Sequence, residues 1–201
     1  MTATRIFLAG VLGAVAMFLW TFVSHEILPL GEAGVQNTTD DTALLNELKS
    51  TVKNKDGLYI YPSMGLGPDA THAQRSEAMH TYEAKLAKNP SGFLIYHPAG
   101  SRPMNMGKYL TVEFVTELCE ALLAIWLLAQ TRIVTFAGRL GFVTAAGIMA
   151  AIATNVSYWN WWGFPGNYTA AYMFIQVVGF FLVGLVAAFM FRRVKIGRAH
   201  V

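Results

Sequence analysis

The sequence predicts an all-α membrane bundle of four transmembrane helices, with both termini inside and a small extracytoplasmic α/β insertion between helices 1 and 2. Three observations carry this. Of the 201 residues 54% are hydrophobic and 13% charged, and the mean hydropathy is +0.40, too apolar for a soluble domain of this size. The apolar residues gather into four runs, each near the roughly 20 residues that cross a bilayer. Arg5, Arg132, Arg139, Arg192 and Arg193 stand at alternate ends of those runs, which places these ends in the cytoplasm by the positive-inside rule. Three segments result: the first span at residues 1–28, the insertion at 29–106, and three further spans with a basic tail at 107–201. The formal charge of +3 then belongs to cytoplasmic loops. No basic stripe interleaved with aromatics exists, so the expected partner is the lipid bilayer, with other membrane subunits or self-association, and no nucleic acid. A bacterial inner membrane is the expected location.

The first span runs from Ile6 to about Leu28 and continues past the small residues Ala14 to Ala16, so it reads as an uncleaved anchor. Gly10, Ala14, Met17, Thr21, Ser24 and His25 share one side of it, small at the inner end and polar at the outer. Between Pro29 and Met106 the composition turns to Asn, Asp, Thr, Lys, Pro and Gly. Leu44, Leu45, Leu48 and Val52 keep helical spacing after the capping residues of Asn37 to Asp41. Gly57 to Pro62 reads as a strand, Ala73 to Lys88 as a helix, and Gly92 to Pro98 as a second strand. A βαβ connection would make the strands parallel and neighbouring. So small a unit, with one cysteine in the whole chain (Cys119) and hence no intrachain disulfide, is expected to lean on the outer surface of the bundle.

The second span, Lys108 to Arg132, is the anomaly, because it carries Glu113, Glu117 and Glu120 within about 60° of one another at 100° per residue. An acid at membrane depth costs about 2.5–3.5 kcal/mol on insertion scales. Glu117 lies roughly 12 Å below the outer boundary if the helix enters near Tyr109 at about 1.5 Å per residue. The loop of residues 130–139, with Arg132 and Arg139, is expected in the cytoplasm. The third span, Leu140 to Tyr158, puts Thr144, Gly147, Ala151, Asn155 and Tyr158 on one face, and Gly141 with Ala145 forms a second small-residue seam. Trp159 to Pro165 makes an aromatic turn at the membrane boundary. Tyr168 to Phe191 is the fourth span, with Tyr168, Tyr172 and Gln176 together on one side, before the basic tail of Arg192, Arg193, Lys195 and Arg198.

All four seams are polar in their outer halves, which predicts one shared cluster. Its candidate site residues are Glu117, Glu120, Glu113 and His25, supported by Ser24, Asn155, Tyr158, Tyr172 and Gln176. Carboxylate oxygens and one imidazole suit a small cation, with a divalent cation as the cofactor class, and neighbouring acids equally suit a shared proton. The spacing Glu117-x-x-Glu120 lacks the histidine of a di-metal carboxylate bundle. His72, His80 and His97 lack the compact spacing of a zinc site. Cys119 points away from the acids, and no nucleophile and base pair up, so the chain reads as a non-enzyme. Its expected function is to bind or conduct a small cation or proton. The other reading is an accessory or assembly subunit whose intramembrane acids are structural and whose insertion docks on a partner.

Overall fold

The computed structural model describes residues 2–192. The basic residues Arg193, Lys195 and Arg198 lie outside the described residues. The chain divides into two compact units, Gln36–Met104 and the two segments that flank it.

The flanking segments build a helical bundle. Helix α1, Ala3–Phe22, is capped by the Thr2 side chain and widens into a π-helical turn at Val23–Ile27 before a 3-10 turn at Leu30–Glu32. The numbering continues through the insertion with helices α2, Asp41–Thr51, and α3, His72–Leu86. Helix α4, Met106–Ala129, starts at Asn105, whose side chain accepts from the Lys108 amide at 2.9 Å. Helix α5, Phe136–Trp162, starts at the Thr135 cap and stops at Gly163, which holds the left-handed φ of 70° that suits glycine. Helix α6, Gly166–Met190, follows Pro165.

Neighbouring helices run antiparallel: α1 packs on α4 and α6, and α5 packs chiefly on α6. Ala9, Ala14 and Met17 of α1, Ala121 to Leu128 of α4, Val143 of α5 and Phe180 to Ala187 of α6 join in one apolar core. That core fills the half of the bundle that carries Arg5, Arg132, Arg139 and Arg192. The other half holds the polar residues. Small residues allow the close approach: a side chain at Gly10 would run into Leu122, and one at Gly147 into the stem of Phe180.

Three helices, Ala3–Ile27, Phe136–Trp162 and Gly166–Met190, are long and apolar enough to cross a membrane. Helix α4 is not among them, because every 18-residue stretch of Met106–Ala129 contains Glu113, Glu117 and Glu120. The helix expected from Leu140 begins four residues earlier, so Arg139 belongs to the first turn of α5 and is buried. The second expected seam also moves. Gly141 and Ala145 are exposed, and Val143, Gly147 and Ala151 face the protein instead.

In the unit Gln36–Met104 the strands β1, Gly57–Tyr61, and β2, Gly92–Tyr96, form an antiparallel pair with Gly57 opposite Tyr96 and Tyr61 opposite Gly92. The parallel pairing expected of a βαβ unit is therefore corrected. The reason lies in the connection: residues 62–71 carry the chain outward, and α3, about 22 Å long at 1.5 Å per residue, brings it back. Lys85 near the end of α3 donates to the Ser63 carbonyl at 3.2 Å, just beyond the end of β1. Strand β2 thus starts beside Tyr61 and runs the opposite way. The Thr71–Gln74 capping box starts α3, and the Asp40 side chain starts α2.

Candidate functional site

The centre of the polar half is Thr21, in the last turn of α1. Its hydroxyl donates to Glu117 Oε1 across to α4 at 2.5 Å. Its carbonyl accepts from the Ser24 hydroxyl at 2.8 Å and contacts His25 Nδ1 at 2.9 Å. An α-helical turn would commit that carbonyl to the amide four residues on, whereas the π-helical widening at Val23–Ile27 relaxes that register and admits side-chain donors. The Nε2 edge of the ring, away from that carbonyl, packs on Gly31. Tyr172 of α6 meets the same ring edge-on, with centroids 6.0 Å apart.

Glu117 is 4% exposed. Only Oε1 has a partner, and Oε2 is buried without one. Leaving a buried polar atom unsatisfied costs about 1–3 kcal/mol, so this oxygen is the feature of the bundle that most needs an explanation. Glu113, one turn toward the helix start, is exposed, and Glu120, one turn further in, is half-buried. The one hydrogen bond that the stripe makes to another helix, from Thr21 to Glu117, comes from α1. Below Glu120 the neighbours become Ala121, Ala124, Ile125 and Leu128, all buried.

The predicted shared cluster separates into two. Glu117, Ser24, His25 and Tyr172 gather between α1, α4 and α6. Asn155 and Gln176 meet elsewhere: Gln176 Oε1 accepts from Asn155 Nδ2 at 3.3 Å and from the Thr154 hydroxyl at 3.2 Å, between α5 and α6. Tyr158 is exposed and rests on Phe164 at 5.4 Å. Phe164 continues to Tyr168 at 5.3 Å, and Tyr168 stacks on Tyr172 at 4.3 Å. An aromatic ladder thus connects the end of α5 to His25.

No family model, curated protein or solved structure matches the chain. What the site can do therefore follows from its own atoms.

Among the described residues no three His, Cys, Asp or Glu side chains come together as a metal ion would require. His25 is held on its own helix by the Thr21 carbonyl. His97 bonds Asp56 Oδ1 at 2.7 Å and Arg102 Nη1 at 3.1 Å, tying together the ends of the insertion's sheet. Cys119 is exposed. Thr21 was legible in sequence only as a hydroxyl near the polar end of its helix, and Thr154, which bonds Gln176, was missed. What marks Thr21 is its depth, one helical turn before His25 and level with Glu117 once α1 and α4 run antiparallel.

Proposed function

We propose that the chain is a four-span membrane protein in which Glu117 binds a proton, exchanged from the extracytoplasmic side. One observation carries the reading: a buried carboxyl group with a hydroxyl donor on Oε1 and nothing on Oε2. A proton on that group removes the charge whose desolvation is the main cost of keeping an acid at membrane depth. A divalent cation favours several hard oxygen ligands, and among the described residues Glu117 joins no group of three His, Cys, Asp or Glu side chains.

The three acids make a short stair, from exposed Glu113 through buried Glu117 to half-buried Glu120. Acids one turn apart on a helix are neighbours, so a proton can arrive by way of Glu113. Beyond Glu120 the apolar core offers no polar group that could relay it. That supports binding from one side over conduction across the bundle. In a bacterial inner membrane, with both termini inside, this side is the extracytoplasmic one.

The second reading is an accessory subunit of a larger membrane complex, in which Glu117 staples α1 to α4 through Thr21. The Thr21–Glu117 bond itself favours it. Infrared difference spectra across a pH titration separate the two. A proton site gives a carboxylic-acid carbonyl band that comes and goes with pH and is absent from Glu117→Gln. A spectrum in which no such band changes, over the whole range where the bundle stays folded, leaves the staple as the role of Glu117.

A further inference from the structure

At the end of the bundle opposite the acids lies a buried cation with no counter-ion among the described residues. Arg139 is 6% exposed. Its Nη1 donates to the Phe191 carbonyl at 2.6 Å, its Nε donates to the Ile133 carbonyl at 3.3 Å, and its guanidinium lies over the Phe191 ring at 5.8 Å. Carbonyls satisfy hydrogen bonds without neutralising a charge, and a buried charge without an opposite one is costly. No Asp or Glu occurs before Glu26 or after Glu120 anywhere in the chain. The bundle's acids, Glu26, Glu32, Glu113, Glu117 and Glu120, all belong to its other half.

Beside Arg139 a cavity of about 280 Å³ is lined by Arg139, Arg192, Val134, Phe136 and Ala188. It could hold several waters at about 30 Å³ each, and hence a phosphate-sized anion. Two guanidinium residues and three apolar ones match a group that is anionic at one end and apolar at the other. Arginine is the side chain whose planar donors fit a phosphate. Basic pockets between membrane helices on the cytoplasmic side, where the leaflet is anionic, suit phospholipid head groups.

We propose that this cavity binds the phosphodiester of an anionic phospholipid, with Arg139 as the inner and Arg192 as the outer cation and Val134, Phe136 and Ala188 against the glycerol and upper acyl chain. The negative charge of the ligand follows from the unneutralised arginine. The choice of lipid over free phosphate rests on the bundle lying in a membrane.

The test is thermal unfolding of the full-length protein in a neutral detergent, titrated with phosphatidylglycerol, phosphatidylcholine or inorganic phosphate. Phosphatidylglycerol should raise the midpoint saturably, as ligand binding to the folded state requires, and the other two should not. Arg192→Gln should weaken the apparent affinity about tenfold, the loss of one charge-assisted contact. Arg5→Gln, at the same end but outside the cavity, should keep the wild-type affinity. Arg139→Gln should abolish the response where it folds, and Arg192→Gln carries the test where it does not. Equal stabilisation by phosphatidylcholine, or an unaltered affinity in Arg192→Gln, would overturn the site. A response to inorganic phosphate alone would overturn the lipid as its occupant. Glu117 takes no part in this readout, so the proton site and the lipid site stand or fall separately.

Discussion

Thr21 does at the scale of one residue what holds the polar half together, because its carbonyl orders Ser24 and His25 while its hydroxyl serves Glu117. Removing that hydroxyl leaves both oxygens of Glu117 without a partner. Intramembrane hydrogen bonds average about 0.6 kcal/mol, with a maximum near 1.7, and an orphaned acceptor adds to the loss. Thr21→Val, which nearly keeps the shape, should therefore destabilise the bundle by about 1–2 kcal/mol in a reversible unfolding titration. Thr116→Val is the matched control on α4. Its hydroxyl bonds only the Val112 carbonyl of its own helix, at 2.9 Å, so the change should cost close to nothing. Equal losses in the two variants would mean that the Thr21–Glu117 bond contributes no more than a local back-bond. The acids of α4 were legible as a stripe from their spacing alone. Which of them would be buried was not, since Glu113 and Glu117 differ by 40° of helix rotation and that angle is set by how α4 meets α1.

At the scale of the element, close packing of α5 on α6 depends on the side of α5 that carries Gly147. A methyl at Gly147 would strike the Cβ and ring of Phe180, which cannot move without moving α6. Gly147→Ala should cost about 1–3 kcal/mol, the usual range for overpacking. Gly141→Ala should cost nothing or stabilise slightly, because nothing lies within 4 Å of where its Cβ would stand and alanine is the better helix former by about 1 kcal/mol. The same unfolding titration reads both, and a penalty at Gly141 equal to that at Gly147 would place the α5 seam wrongly. Both glycines looked alike in sequence. A spanning helix is apolar all round, so periodicity alone does not reveal which small-residue stripe meets protein and which meets lipid. In the same way Arg139 looked like a loop residue, since a positive charge beside a span is ordinarily a boundary marker. Its burial came from the Thr135 cap, which starts α5 early, and from the Phe191 carbonyl within its reach.

For the whole molecule, the division into an apolar half and a polar half was visible in the order of residues along each helix, and antiparallel packing brings the like halves together. The pairing direction of the two strands was hidden. Both directions bury the same side chains of Gly57–Tyr61 and Gly92–Tyr96, and the choice falls to the path of residues 62–71 outside the strands. The reading as a proton site depends on one property of the whole chain, namely that α4 crosses the membrane although its three acids set it apart from the three apolar helices. If α4 crosses, the loop after α3 and the loop between α4 and α5 lie on opposite sides. If it does not, they share a side. The decisive measurement labels single cysteines in intact cells or sealed vesicles with a membrane-impermeant maleimide, in a Cys119→Ala background. Ser91→Cys, in the exposed turn before β2, should react from outside, and Thr135→Cys, exposed at the start of α5 and outside the cavity lining, should react only after the membrane is opened. Labelling of both positions from the same side would contradict the four-span bundle and the membrane depth of Glu117 along with it.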